Sequence, residues 1–176
     1  MANFKEIVTK AVIGKGKKYF KNKYSVQSEI EPNNILGCWV INHKFKGSVS
    51  GDDVVVNGSF DVNIWYSYDN DSKTNVINKN ISYNDEIAVK TKIDVDLNDS
   101  EIVVRALKQP SCSNVVINGN TIDFDIEKEL GIEVVGDTKV KIQVEDDEDG
   151  WEVFDDPVTD DTLKEIDEEV KDEFLE

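Results

Sequence analysis

Phe60-Asp61-Val62-Asn63-Ile64-Trp65-Tyr66-Ser67-Tyr68 is the stretch on which the fold turns. Phe60, Val62, Ile64, Tyr66 and Tyr68 take alternate positions, with Asp61, Asn63, Trp65 and Ser67 between them. Successive side chains of an extended chain point to opposite sides, so this period of two describes a strand with one face in a core and the other in water. The rhythm returns in Ile122, Phe124 and Ile126 against Asp123, Asp125 and Glu127, and again in Val140, Ile142 and Val144 against Lys139, Lys141 and Gln143. Half-buried strands of this kind belong to antiparallel sheets.

Working outward, Asn57-Gly58, Asp69-Asn70-Asp71, Asn118-Gly119-Asn120 and Gly136-Asp137 read as turns, because these residues tolerate positive φ or bond their own backbone. Residues 115–126, around Asn118-Gly119-Asn120, form the best hairpin candidate. At the N-terminus Phe4, Ile7, Val8 and Ala11 fit one helical face. The β-branched Ile7-Val8-Thr9 and Val12-Ile13, followed by Gly14 and Gly16, favour a strand instead. Many short strands without an amphipathic helix predict an all-β domain over residues 1–144, an antiparallel β-sandwich or open barrel.

Residues 145–176 are a different material. They hold 17 Asp and Glu against Lys164 and Lys171, and so carry nearly all of the chain's net charge of −17. The first 24 residues lean the other way, with Lys5, Lys10, Lys15, Lys17, Lys18, Lys21 and Lys23 against Glu6 alone. Oppositely charged ends let copies attract head to tail, or let each end find its own partner. The N-terminal lysines serve equally well as a solvated edge that discourages strand pairing. The tail reads as disordered or weakly helical, since an unbroken acidic run cannot pack. Trp151, Val153 and Phe154 interrupt the acid in the manner of a docking segment. Thr162 and Glu165 match a capping box, and Leu163, Ile166, Val170 and Phe174 share one face of a helix that gains stability when bound. The competing reading is a solubilising brush without a partner.

The length fits one domain plus this tail. No run approaches the ~18 apolar residues a membrane helix needs, and no apolar signal region opens the chain, so cytoplasmic synthesis without membrane insertion is expected. The negative charge argues against nucleic acid as a partner. Cys38 and Cys112 are too few for a secreted disulfide framework and read as reduced, partly buried thiols, able to pair within or between chains in an oxidising environment.

Candidates for chemistry are few. His43 is the only histidine, which excludes histidine clusters. A Cys38–His43 nucleophile pair is disfavoured, because a separation of five puts the two on opposite faces of a regular strand. Gly14-Lys15-Gly16-Lys17 lacks the spacing and the ending of a phosphate loop. Glu145, Asp147, Asp149, Gly150 and Asp156 follow EF-hand spacing, but with the wrong acid at either end and no preceding helix. Asp94, Asp96 and Asn98 alternate into Asp99 where a glycine should stand, as a strand end running into a turn does. Trp39, Trp65, Tyr66 and Tyr68 offer an aromatic platform for a ligand, though large aromatics in strands more often fill a core or a subunit interface.

Ile35-Leu36-Gly37-Cys38-Trp39-Val40-Ile41-Asn42-His43-Lys44-Phe45 resembles the spore coat protein E family of endospore-forming bacteria. The N-terminal Ile7-Val8-Thr9-Lys10-Ala11-Val12 leading to Gly16-Lys17-Lys18 agrees, as do residues 60–68, Leu107-Lys108-Gln109-Pro110-Ser111-Cys112 and Val134-Val135-Gly136-Asp137-Thr138-Lys139-Val140. The resemblance implies a non-enzymatic morphogenetic scaffold, made in the mother-cell cytoplasm and gathered on the forespore surface through a basement-layer morphogenetic ATPase. There it would self-associate as a homo-oligomer and recruit outer-coat proteins, with residues 1–144 as the self-assembly body and 145–176 as the client-docking tail. No catalytic residue, metal or cofactor is implied. The interaction candidates are Trp39, Trp65 and Tyr66 in the body and Trp151, Phe154, Leu163, Ile166, Val170 and Phe174 in the tail. The alternatives are a ligand-binding or adaptor module using Trp65, Tyr66 and Tyr68, and an enzyme resting on Cys38 and His43.

Overall fold

The computed structural model describes residues 3–91 and 96–144. Strand accounts for 86% of it and no α-helix occurs among the described residues, so the fold is all-β, two antiparallel sheets not closed into a barrel. The strands are β1 (Asn3–Gln27), β2 (Asn34–Ser50), β3 (Asp53–Tyr68), β4 (Lys73–Ala88), β5 (Lys90–Thr91), β6 (Glu101–Asn118) and β7 (Thr121–Val144), with a 3₁₀ turn at Leu97–Asp99. One sheet has the order β5-β1-β7-β6 and the other β2-β3-β4. Residues 6–140 form one compact unit, to which the description below refers; Asn3–Lys5 and Lys141–Val144 are the described parts of a second.

Two of the three alternating segments became inward rows of central strands; the third, Val140, Ile142 and Val144, lies at the end of β7, where Val140 and Ile142 are exposed and not part of a core face. On β3, Val54, Val56, Phe60, Val62, Ile64 and Tyr66 are buried, and on β7 so are Ile122, Phe124, Ile126, Leu130, Ile132 and Val134. These two rows meet between the sheets and make a sandwich core in two parts. Phe60, Val62, Ile64 and Tyr66 pack with Ile122, Phe124 and Ile126 in one cluster. Val54 and Val56 pack with Leu130, Ile132 and Val134 in the other. The seam between the clusters lies at Lys128, the one position of the β7 row that is not apolar.

The hairpin between β6 and β7 closes at Asn118↔Thr121 with Gly119 at φ +60°, as the turn chemistry predicts. Asp69, Asn70 and Asp71 all have positive φ in the turn from β3 to β4. Two other predicted turns are strand interior. Gly58 pairs with Tyr83 within β3 and β4, and a Cβ there would lie 2.3 Å from the Tyr83 ring. Gly136 lies within β7, where a Cβ would meet Ile13 at 2.5 Å. In both places glycine serves the close approach of a neighbouring side chain rather than a reversal of the chain. Asp96 caps the 3₁₀ turn by accepting from the Asn98 backbone N–H at 2.9 Å.

The largest departure from the sequence reading is in β2. Ile41 pairs with Asp61 and Lys44 with Ser59, so Asn42 and His43 together oppose Phe60 alone. Asn42 takes φ 55° in this bulge. The extra residue reverses the phase of the strand. Cys38, Val40, His43 and Phe45 are consequently among the half-buried residues of β2, and Cys38 and His43 share a face instead of opposing one another. Cys38 is disulfide-bonded to Cys112 on β6, with Cα atoms 6.1 Å apart, in place of the reduced thiols expected from the sequence.

Candidate interaction surfaces

Among the described residues, three places gather functional side chains: a polar belt through the core, the outer face of β2-β3-β4, and the outer face of β1-β7-β6. The belt forms because the inward row of β7 continues through Lys128, only 1% exposed. Its ammonium lies 2.9 Å from Asp85 Oδ2, over the Tyr83 ring at 4.1 Å and over Phe20 at 4.7 Å. The Asp85 oxygen is out of line for a hydrogen bond, so the attraction is an ion pair supplemented by two aromatic faces. His43 completes the belt. Its Nε2 is 2.7 Å from the Tyr83 hydroxyl and its Nδ1 is 3.0 Å from Gln109 Oε1. The amide oxygen only accepts, so Nδ1 carries the proton and the Tyr83 O–H donates to Nε2.

That arrangement needs a neutral imidazole. Burial pushes the His43 pKa below its ordinary value; Lys128 pushes the same way, and the Gln109 bond opposes. Burial and Asp85 raise Tyr83, which therefore stays protonated as the donor. The unfolded chain binds a proton at His43 before the folded one does, so stability is complete above the ordinary histidine pKa and falls as pH drops through it. The denaturation midpoint of the full chain is expected to fall between pH 7 and pH 5.5, and His43→Asn should flatten that fall. An equal slope in the variant would assign it to another group.

Cys38, the only nucleophile proposed for His43, is held in the disulfide. Apart from His43, the belt's residues were missed in the sequence, although one signal was there. Lys128 continues the alternation of Ile122, Phe124 and Ile126 into Leu130, Ile132 and Val134, and so places a charge on a core face.

On the outer face of β2-β3-β4, Trp39 and Trp65 make an edge-to-face pair with centroids 6.5 Å apart, 52% and 42% exposed. Gly37 pairs with Trp65, and a Cβ on it would lie 2.4 Å from the Trp39 ring, so the missing side chain lets that indole lie down on the sheet. Ile41, also exposed and two residues from Trp39 along β2, extends the apolar area. Beyond it the face turns polar. Asp61 accepts from Asn42 and Asn80 at 2.8 and 2.6 Å, bonds that hold its carboxyl below the ordinary range, and Asn63 pairs with Asn78. Tyr66 is not part of this face: it is fully buried and points into the core, and Tyr68 is half-buried beside it. The platform of Trp65, Tyr66 and Tyr68 is thus divided between two sides of one strand.

On the outer face of β1-β7-β6 the acids of β7 are flanked by cations. Lys21 lies 3.8 Å from Asp125 and 3.6 Å from Glu127, Lys108 is 3.2 Å from Glu127, and Arg105 is 3.4 Å from Glu133. Part of the N-terminal positive charge is therefore neutralised within the sheet. Trp151, Phe154, Leu163, Ile166, Val170 and Phe174, the EF-hand-like spacing and Asp94 lie outside the described residues. Among the described residues no cluster of three or more metal-ligating side chains occurs, and no helix is long and apolar enough to cross a membrane.

Against known proteins, residues 3–175 match the family model described as outer spore coat protein E (CotE). No curated protein and no solved structure matches the chain.

Proposed function

The chain belongs to the outer spore coat protein E family, a structural family of the spore coat, and from that premise we propose that it is a non-enzymatic morphogenetic scaffold. In this reading it is made in the mother cell and held on the forespore surface by a basement-layer morphogenetic ATPase. It self-associates there through the body and recruits outer-coat proteins through the acidic tail of residues 145–176. The observation that supports self-association is the exposed Trp39–Trp65 pair. Two adjoining tryptophans, with Ile41 next to them along β2, form the kind of contiguous apolar patch that marks an interaction site, and tryptophan is enriched among the anchors of protein interfaces. A sandwich tied by a disulfide and a packed core presents that patch rigidly, which lowers the entropy lost on association.

Sedimentation velocity on the full chain tests this. Wild type is expected to form large assemblies, and Trp39→Ala with Trp65→Ala to need about 30-fold more protein for the same assembly, the equivalent of one lost anchor of ~2 kcal/mol. A wild-type chain that stays monomeric at high concentration, together with a fluorescent fusion that fails to surround the forespore, would remove the scaffold reading. Unchanged assembly in the double variant would move the contact to another face.

A further inference from the structure

Lys15 and Lys17 on β1, Lys90 on β5 and Arg105 on β6 line one groove of about 600 Å³, with Leu107 and Glu133. Four cations meet a single carboxylate there, on a protein whose net charge is −17. Arg105, the only arginine in the chain, is 3.4 Å from Glu133 through Nε, which leaves the outer end of its guanidinium fork to another acceptor. Lys15, Lys17 and Lys90 are exposed and have no carboxylate within ion-pair distance among the described residues, in contrast to Lys21 on the same strand. Leu107, 53% exposed, gives the groove an apolar wall.

The geometry points to a docking site for an acidic peptide with embedded aromatics, and we infer that its occupant is the segment Trp151-Glu152-Val153-Phe154-Asp155-Asp156 of a second copy of this chain. The complementarity is twofold. Glu152, Asp155 and Asp156 supply carboxylates to cations that lack them, and Trp151 or Phe154 supplies a ring to Leu107 and to the cations themselves. A groove on one copy that takes the tail of the next is a heterologous contact. Such a contact repeats from copy to copy, closing into a ring or running on as an open chain according to the rotation it imposes, and a shell needs a second contact to link the chains. The inference rests on the scaffold reading and adds to its body-to-body association a contact from the tail of one copy to the body of the next.

Charge reversal on the full chain tests it. At about 0.01 M salt, where charges act over ~30 Å, wild type is expected to assemble, and at about 1 M, where they act over ~3 Å, to lose at least tenfold in assembly. Lys15→Glu with Arg105→Glu should lose at least tenfold at low salt, as should Asp155→Lys with Asp156→Lys. The four changes combined should restore assembly, which also shows that the reversed chains fold. Assembly unaffected by either reversal would overturn the inference and leave the scaffold reading standing; a monomer under every condition would remove both. Carbodiimide cross-linking of mixed isotopically light and heavy chains identifies the donor of the tail. Mixed pairs joining Lys15, Lys17 or Lys90 to residues 152–156 support a second copy, and only light-light and heavy-heavy pairs would assign the groove to the chain's own tail and overturn the intermolecular contact.

Discussion

Lys128→Ala should destabilise the protein by about 3–5 kcal/mol, because it leaves the Asp85 carboxylate in the core without its cation. Lys128 is 1% exposed and 2.9 Å from Asp85, whose side chain is 13% exposed, so the lysine has no route to water when its partner is removed and the carboxylate only a narrow one. Asp85→Ala should cost a similar amount for the converse reason. It strands an ammonium whose only remaining company is the faces of Tyr83 and Phe20. The pair as a whole is another matter. Attraction in a buried site is spent largely on desolvating both ions, and replacing both with apolar residues of similar volume is often neutral or stabilising. Lys128→Met with Asp85→Leu is therefore expected to recover most of the loss in chemical denaturation of the full chain. Single variants that lose under about 1 kcal/mol would show that water reaches the pair, since exposed ion pairs are worth that much or less.

Reduction of Cys38–Cys112, or Cys38→Ser, should cost up to about 4 kcal/mol. The cross-link spans a sequence separation of 74 residues and so removes a large loop entropy from the unfolded chain. Its position adds to the effect. Among the described residues β2 pairs only with β3 and β6 only with β7, so at these two edges of the sandwich the disulfide ties the sheets where no ladder does. Denaturation with and without reductant reads the difference, and thiol titration should find no free cysteine until the chain is both unfolded and reduced. Two titratable thiols in the folded protein, with equal midpoints under both conditions, would discard the bond. In the proposed role the redox state of the surroundings would then set how firmly the sandwich holds, independently of the charge-driven contact between copies.

The strands were legible because burial of one face imposes a period of two that tertiary context cannot hide, and residues 60–68 and 122–126 carried it without interruption. Glycine was less legible. Asn118-Gly119-Asn120 is a turn, whereas Gly58 is a seat for the Tyr83 ring, and nothing local distinguishes a glycine that reverses the chain from one that admits a neighbour. The same limit applied to the candidate surface. Trp39 and Trp65 could be named from the sequence, but not as partners, because their contact depends on the register Gly37↔Trp65 and on the empty space above Gly37. Tyr66 was named with them although its place in the alternation already put it on the core side.

By its order of residues alone the chain determined the all-β class, the inward rows of β3 and β7, the hairpin at Gly119 and the separation of charge between a lysine-rich start and an acidic end. Each follows from local periodicity, turn chemistry or composition. Tertiary structure alone decided that Asn42 bulges and turns His43 inward, that Cys38 meets Cys112, that Lys128 finds Asp85, and that Lys15, Lys90 and Arg105 border one groove. These join residues far apart in the chain, and which strand lies beside which is set by the packing of whole faces, which no window of sequence contains.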